Sequence, residues 1–272
     1  MAEDKQIIFA AAKSTHFRLT NILQIGAFAL VLSGCYVGLM HGAENLGYNW
    51  HWQRVPRYLI ISTADGWSFG PLLQGLWLTL EISLISLFLS LAIGLLSALM
   101  RLSASPMARW IAKCYLEIIR NTPLLIQIFI IYFVFAPIFD LGRLTSAILA
   151  LSLFEGAYAS EIIRAGIQAV PIGQWEASSS LGMNRGQSYG YIVLPQALRQ
   201  VTPPLTSQGI SLVKDSALVS TIAIYDLTMQ GQQIIAETFL AFEIWFAVAA
   251  IYLLVTIFLS GLVKYLEYRL TA

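Results

Sequence analysis

The most constraining feature of the sequence is a long apolar run from Leu72 to Met100 that contains a single charged residue, Glu81. A helix crosses the hydrocarbon core of a bilayer with roughly 20 residues. The chain is 57% hydrophobic and only 11% charged, which excludes a soluble globular domain. We predict an all-α integral membrane protein with six transmembrane helices, the other five being Ile22 to Met40, Leu124 to Phe139, Leu144 to Ile163, a broken region from Val201 to Thr228, and Ile244 to Val263.

Lysine and arginine are distributed unevenly among the connections between these helices. With the N-terminus in the cytoplasm, the outside holds only Arg54, Arg57 and Arg143, and Lys214 falls in the broken region, which leaves 12 of the 16 basic residues inside. Because short cytoplasmic connections carry the excess of basic residues, both termini and residues 171–195 are predicted to be cytoplasmic.

The first apolar run follows an N-terminal segment that carries Lys5, Lys13 and Arg18. No small-x-small cleavage site follows the run, so we expect a retained signal-anchor helix.

Several chemistries are excluded by what the sequence lacks. No G-x-x-x-x-G-K-[ST] motif occurs, so the chain is not expected to bind ATP. Cys35 and Cys114 lie in separate parts of the predicted topology, and the three histidines have no partners at metal-ligand spacing. With no nucleophile and base in recognisable arrangement, we expect no catalytic residue, no metal site and no cofactor on this chain.

Residues 171–195 form a polar stretch between two apolar regions and predict two short helices with a break. Pro171 and Gly173 predict the end of the preceding helix, and Glu176 is then expected in the first turn of the next. Gly182 is typical of a helix that stops on a left-handed residue.

The second of these helices is predicted to begin with a capping box. Asn184 is followed three residues later by Gln187, the spacing at which the two side chains cap each other's backbone. We expect this helix to close near Leu194 and Pro195.

The same stretch resembles the EAA loop of the membrane-spanning subunits of bacterial ABC importers, where E-A-A is followed at fixed distances by Gly and I-x-L-P. An ordinary loop would match single elements of this pattern, but not several at fixed offsets. The one departure is Ser178, a small residue in place of the second Ala. The matching residues are Glu176-Ala177-Ser178, Gly182 and Ile192-Val193-Leu194-Pro195. The resemblance implies that an ATPase docks on Gly173, Gln174, Trp175, Glu176, Ala177, Ser178 and Gly182.

Three further segments resemble the polar amino acid branch of these permeases. Arg120 to Leu125 is similar to its R-x-T-P-L-L signature, and it also predicts a helix start at Pro123. Gly156 to Ile167 resembles G-A-Y-x-x-E-x-x-R-x-G-I, and Leu212 to Leu218 resembles L-L-K-D-T-S-L. The resemblance covers the chain from about Gly70 to the C-terminus.

Four charged residues are candidates for the translocation pathway: Glu81, Glu155, Lys214 and Asp215. A charge inside the bilayer is costly, so a function is the default hypothesis. Glu155 has no cation close in sequence. Lys214 and Asp215 split the broken region, either as a pair that neutralises itself at a helix break or as a polar feature of the pathway.

Two faces of the predicted helices carry recognisable patterns. Glu161 and Arg164 are three residues apart and are expected to pair near the cytoplasmic boundary.

Small residues at helical spacing in the second span indicate close helix packing, with a pore-lining role as the alternative. They are Gly75, Thr79, Ser83, Ser86, Ser90, Gly94 and Ser97.

The external connection from His41 to Gly70 is rich in tryptophan and tyrosine. These side chains settle readily at lipid headgroups, which predicts an interfacial belt with a short helix lying on the membrane. The alternative is a docking surface for a soluble partner.

Together these features divide the chain in two. We expect residues 1–69 to hold the N-terminal cytoplasmic segment, an extra transmembrane helix and the external aromatic connection. The resemblance implies that residues 70–272 form a five-helix permease core with a cytoplasmic EAA coupling loop at 171–195. The resemblance implies a type I ABC importer permease in a bacterial inner membrane, translocating polar amino acids delivered by an extracytoplasmic binding protein.

The implied partners are a P-loop ATPase dimer that binds ATP and Mg²⁺, a second permease subunit of the same or similar sequence, and membrane lipid, with no nucleic acid. The alternatives are a secondary transporter, for which no inverted hydropathy repeat is visible, and a membrane-embedded enzyme, which needs paired catalytic groups at one depth.

Overall fold

The computed structural model describes residues 23–38, 40–42, 48–63 and 66–271, with side chains up to Tyr265. The predicted cytoplasmic segment with Lys5, Lys13 and Arg18 lies outside the described residues. The chain divides into two compact units, Met1–Trp50 and His51–Ala272. The first unit contains α1 (Leu23–Gly42), which is exposed along its described length.

The second unit begins at His51, ahead of the core boundary expected at Gly70. A 3₁₀ turn (Trp52–Arg54) and the short helix α2 (Pro56–Leu59) come first. The predicted short helix is therefore present, but it is followed by an antiparallel hairpin of β1 (Ile60–Thr63) and β2 (Gly66–Phe69) that the sequence analysis missed. β1 is rich in β-branched residues, which favour a strand.

The remaining chain is helical. Its elements are α3 (Pro71–Leu102), α4 (Pro106–Arg120), α5 (Leu124–Phe129) running through a π segment (Ile130–Phe135) into α6 (Ala136–Phe139), α7 (Arg143–Gln168), α8 (Ile172–Ser180), α9 (Arg185–Gln187) running through a π segment (Ser188–Val193) into α10 (Leu194–Asp215), a 3₁₀ segment (Ser216–Ile222), α11 (Leu227–Thr238) and α12 (Ala241–Thr271).

Most of the predicted membrane crossings correspond to these helices. Within the described residues, α1, α3, α7 and α12 are each long and apolar enough to span a membrane alone. The α4 and α5–α6 helices meet at a bend of 106°, and the predicted crossing from Leu124 to Phe139 is the second member of this bent pair. The sixth predicted crossing, Val201 to Thr228, falls on α10, the 3₁₀ segment and the start of α11, none of which is long and apolar enough within the described residues to count as a span. The α-helix ends at Asp215, where the sequence indicated a break.

The helix that follows the polar stretch does not close near Leu194 and Pro195, as the sequence predicted. It opens with the expected capping box, in which Asn184 and Gln187 exchange two hydrogen bonds of 2.9 Å. It then widens into a π segment and continues through Pro195 to Asp215. Proline lacks an N–H and its ring clashes with the carbonyl four residues earlier in an α-helix. The i→i+5 bonding of the π segment displaces that carbonyl, so the helix passes the proline.

The core is organised by close packing of α3 against α7. All seven small residues of the predicted α3 stripe are buried, which confirms the packing interpretation. A Cβ atom added to Gly94 would lie 2.7 Å from the Cβ of Ala159 and 3.1 Å from the backbone of Gly156. The Ser152 hydroxyl on α7 donates to the Ser86 carbonyl on α3 at 3.5 Å. Small side chains thus bring the two backbones close enough for direct interhelical contact.

The same stripe holds α11 against the N-terminal half of α3. A Cβ atom on Gly75 would lie 2.8 Å from the Asp226 carbonyl oxygen. The backbone N–H of Leu227 donates to the Thr79 hydroxyl at 3.1 Å. Asp226 caps α11 by accepting from the Met229 N–H at 2.9 Å. The stripe therefore positions the helix that follows the broken region.

We expect Gly94→Ala to destabilise the fold. The added methyl group overpacks the α3–α7 contact, at a cost of about 1–3 kcal/mol. Gly261→Ala on α12 is the matched control, because a Cβ there meets nothing within 4 Å while the gain in helix propensity is the same. Thermal unfolding of the purified protein should show a lower Tm for Gly94→Ala only. Equal Tm values for the two variants would contradict the packing account.

Candidate functional site

The polar stretch folds into an isolated short helix, α8, with well-defined ends. Pro171 is its N-cap, so Gly173 lies inside α8 rather than ending α7, and Glu176 lies just beyond the first turn. The end is as predicted: Gly182 has φ of 73°, and the N–H groups of Gly182 and Met183 donate to the carbonyls of Ser179 and Ser178. This is a Schellman motif, which glycine adopts without strain.

The α8 helix is held to the rest of the chain along one side only. Ser178 is its one buried residue, and its hydroxyl donates to the Ser188 hydroxyl at 2.8 Å. The Trp175 ring meets the Tyr189 ring edge to face, with centroids 4.9 Å apart. Both partners belong to the π segment that leads into α10, and the sequence analysis named neither of them. Ser178, the departure from E-A-A, therefore serves to attach α8 to α10.

The other side of α8 is open. The predicted coupling residues Gly173, Gln174, Glu176 and Ala177 are all exposed, and Gly182 is exposed beyond the helix end. Two large apolar side chains flank them, Ile172 and Leu181, each about three-quarters exposed. Exposed apolar side chains beside a carboxylate form a surface suited to a protein partner.

A second polar group lies deep in the helical core around Glu155. Glu155 is 1% exposed and sits near the middle of the 26-residue α7. Its Oε2 accepts a hydrogen bond from Nε2 of Gln208 on α10. Its Oε1 is buried and has no hydrogen-bond donor among the described residues. Glu155 is thus held by Gln208 through one oxygen, and the Asp215 carboxyl is its other polar neighbour.

Lys214 and Asp215, adjacent along the chain, interact electrostatically without a close ion pair among the described residues. Lys214 is exposed. The Asp215 carboxyl lies within electrostatic reach of both Lys214 and Glu155. Gln208 and Asp215 are seven residues apart, so they share a face of α10 that points to α7. Sequence spacing on α10 could have revealed Gln208, but not that its partner lies on α7.

Glu81 does not join this cluster. The residue is exposed on α3. Ser83, about 200° further around the helix, is the residue that faces the cluster, because its hydroxyl donates to Ser216 at 3.3 Å beside Asp215. The structure therefore brings Glu155 and Asp215 together, leaves Lys214 exposed beside them, and places Glu81 on another face.

Glu161 binds more partners than the sequence predicted. The expected pair with Arg164 is present, with Nη2 and Oε2 2.9 Å apart. The same carboxylate also pairs with Arg101 at the end of α3 and, at 3.4 Å, with Arg120 at the end of α4. One carboxylate thus joins the ends of three helices on the side of the bundle that carries α8.

A cavity of about 430 Å³ opens between α3, α10 and α12. Its lining is almost entirely apolar, with Ser83, Thr202 and Thr206 as its polar residues. No charged side chain among the described residues lines this cavity. Charged groups are found instead in the cluster around Glu155. Among the described residues, no three His, Cys, Asp or Glu side chains are placed to hold a metal ion.

Comparison with known proteins assigns these features to one class. Residues 90–272 match the family described as the binding-protein-dependent transport system inner membrane component. The chain belongs to this family, and it is the multi-pass, membrane-spanning permease subunit of an ABC importer, not itself an enzyme. The predicted permease class is confirmed.

Two curated relatives share most of their length with this chain. The glutamine transport system permease protein GlnP of Escherichia coli (strain K12) is 39% identical over 208 residues, which are 75% of this chain and 95% of GlnP. The L-cystine transport system permease protein TcyB of Bacillus subtilis (strain 168) is 39% identical over 219 residues, 78% of this chain and 93% of TcyB.

Solved structures show the same fold. The crystal structure of an amino acid ABC transporter with histidines superposes with a TM-score of 0.69 at 38% identity, over 73% of this chain and 94% of that one. An inward-facing form of the MetNI methionine ABC transporter superposes with a TM-score of 0.64 at 22% identity, over 74% of this chain and 97% of that one, and shows the fold alone. The predicted fold class, an ABC importer permease, is confirmed.

We predict that the Ser178–Ser188 hydrogen bond determines how firmly α8 is attached. Ser178→Ala leaves a buried hydroxyl without its partner, a loss of about 1 kcal/mol. Amide hydrogen exchange in α8 should accelerate roughly fivefold, and Ser188→Ala should have a similar effect. In the double variant, the free-energy change should be smaller than the sum of the changes in the two single variants. Ser180→Ala, at an exposed position of the same helix, should change nothing. Additive effects of the two single variants would show that the hydroxyls do not interact.

Proposed function

We propose that this permease moves polar amino acids, delivered by an extracytoplasmic binding protein, and that a cytoplasmic P-loop ATPase dimer drives it by docking on α8. One observation carries the proposal: α8 is attached through Trp175 and Ser178 while its other side, including Glu176, is open. The relatives named for glutamine and L-cystine transport support the substrate class. ATP and Mg²⁺ would be bound by the ATPase, since this chain has no P-loop.

The attachment of α8 suggests how the ATPase acts on the pathway. Its partners Ser188 and Tyr189 lie at the base of a continuous helix that ends at Asp215, beside Glu155. A displacement of α8 by the closing ATPase would move this helix and, with it, one side of the buried cluster. Rocking of one group of helices against another is the usual form of alternating access. We propose a second permease subunit, of the same or a similar sequence, as the other half of the transporter.

The proposal requires α8 to lie in the cytoplasm. The unequal distribution of basic residues supports this orientation, since 12 of 16 fall on the α8 side of the predicted topology. Both termini would then be cytoplasmic and the aromatic connection external, in a bacterial inner membrane.

We further propose that the Glu155 cluster binds the amino acid during passage. A transported amino acid carries an ammonium and a carboxylate, so the site must offer groups of both signs or a helix end. The two neighbouring carboxyls, Glu155 and Asp215, suit the ammonium. The exposed Lys214, adjacent along the chain, suits the carboxylate.

Charge reversal on α8 tests the docking proposal. Glu176→Lys should leave the permease folded and inserted, because Glu176 is exposed, while weakening ATPase retention roughly tenfold or uncoupling ATP hydrolysis from uptake. Co-purification and the ratio of ATP hydrolysed to substrate imported are the measurements. Glu237→Lys, an equal reversal at an exposed position on α11, should behave like the unmodified chain. Wild-type retention and coupling in Glu176→Lys would refute the proposal.

Removal of one buried charge tests the substrate site. Glu155→Gln keeps a side chain that can still bond Gln208, so the assembled complex should be stable. Loss of a charge-assisted hydrogen bond, about 1.5–3 kcal/mol, should lower the kcat/KM of uptake roughly 10- to 100-fold. The control is Glu237→Gln, which removes an exposed carboxylate. If uptake and selectivity survive in a stable Glu155→Gln complex, the cluster is a structural link between α7 and α10.

A further inference from the structure

The α4 helix carries three distinct faces that divide its circumference about equally, at about 100° per residue. The first is buried against the bundle and includes Ala112 and Leu116. Tyr115 anchors this face, because its hydroxyl donates to the Leu153 carbonyl on α7 at 2.6 Å. The buried face fixes the rotation of α4 about its own axis, and the directions of the other two faces follow.

The second face is apolar and exposed. Met107, Trp110, Ile111 and Ile118 lie on it, and each is about half to two-thirds exposed. Their spacing of three, one and seven residues places them on one side of the helix. Met107 and Trp110 also line a shallow open pocket at the start of α4.

The third face is charged. Arg109 and Lys113 lie one turn apart on it and are both exposed. The Arg109 guanidinium donates to the carbonyls of Ser103 and Ala104 at 3.0 and 3.2 Å, which fixes its position beside the end of α3. Glu117 is the acidic residue of this face, and its carboxylate accepts from the Asn121 amide at 3.0 Å. The end of the face nearest α3 is therefore basic.

The bend between α4 and the next segment decides what lies against these faces. The α4 helix is bent by 106° relative to the segment Leu124–Phe139. Membrane-spanning helices tilt by about 20° on average, so α4 lies within roughly 40° of the membrane plane if Leu124–Phe139 crosses the bilayer. The apolar face then meets hydrocarbon, and the basic face meets the headgroups. A helix with this division lies in the interface and attracts anionic lipid.

We propose that α4 is a binding site for anionic phospholipid, with Arg109 and Lys113 holding the headgroup phosphate and the pocket beside Trp110 receiving the acyl chain. Arg109 is held in place by the end of α3, and Lys113 projects from the next turn. The site is separate from α8 and from the Glu155 cluster, and it requires only that the chain is inserted in a membrane.

Quenching of Trp110 fluorescence by brominated lipid tests this site in the complete transporter in nanodiscs. The contribution of Trp110 is the difference in tryptophan fluorescence between the unmodified chain and the Trp110→Phe variant. Brominated phosphatidylglycerol should quench it more strongly than brominated phosphatidylcholine at the same mole fraction. Each basic residue near the surface contributes about one kcal/mol of attraction, so the preference should fall roughly fivefold per charge removed in Arg109→Gln/Lys113→Gln at low salt.

Two matched variants separate charge from structure. Arg109→Lys/Lys113→Arg should keep the preference, as should Arg54→Gln/Arg57→Gln, which removes two charges before the opposite end of α3. Quenching by brominated phosphatidylcholine reports whether α4 is still in place. If this quenching shows that Arg109→Gln/Lys113→Gln has displaced α4, the single variant Lys113→Gln is measured in its place, and the preference for anionic lipid should still fall roughly fivefold.

Three results would overturn the proposal. Absence of Trp110 quenching by either lipid would mean that protein or water covers this face, for instance the ATPase or a second permease subunit. Equal quenching by the two lipids would show that the face does not select anionic lipid. Persistence of the preference after both charges are removed would place its origin elsewhere.

Discussion

The close approach of α3 and α7 is the constraint on which the rest of the permease depends. Lipid offers no hydrophobic drive for helix association, so packing and interhelical hydrogen bonds must supply it. The buried small residues of α3 allow this approach, with a Cβ on Gly94 only 2.7 Å from Ala159. The contact places Glu155 inside the bundle and brings Glu161 to the arginines at the ends of α3 and α4.

The coupling helix follows a different principle, because α8 contributes little to the core. It is attached by one hydroxyl pair, one pair of aromatic rings and a hydrogen bond of 3.3 Å from the Gln196 amide to the Gln174 side-chain oxygen, all reaching the base of α10. A partner that moves α8 therefore acts on α10 first. Because α10 supplies Gln208 and Asp215 to the Glu155 cluster, the docking surface and the candidate substrate site share one helix.

The sequence predicted what depends on local chemistry and missed what depends on tertiary contact. Gly182, the Asn184–Gln187 capping box and the break after Asp215 follow from backbone preferences, and all three are present. The continuation through Pro195 was missed because a π segment relieves a clash that an α-helix would suffer.

Buried polar partners were also missed, for a related reason. The sequence gives no sign that Gln208 bonds to Glu155 on another helix, and it left open whether Lys214 and Asp215 neutralise each other or belong to the pathway. Adjacent residues on a helix point about 100° apart, so Asp215 turns toward Glu155 while Lys214 stays exposed. Glu243, which accepts from the His51 N–H at 2.6 Å, connects segments far apart in the chain and leaves no local signal.

The most direct measurement of the central claim is single-cysteine chemistry at Ala177, an exposed position on α8, in a chain with Cys35 and Cys114 replaced by serine. A thiol at Ala177 should react with a membrane-impermeant reagent only from the cytoplasmic side and should cross-link to the ATPase. A thiol at Gln53 should react only from outside. Labelling of Ala177 from outside, or an assembled transporter in which this thiol reaches no ATPase, would contradict the account.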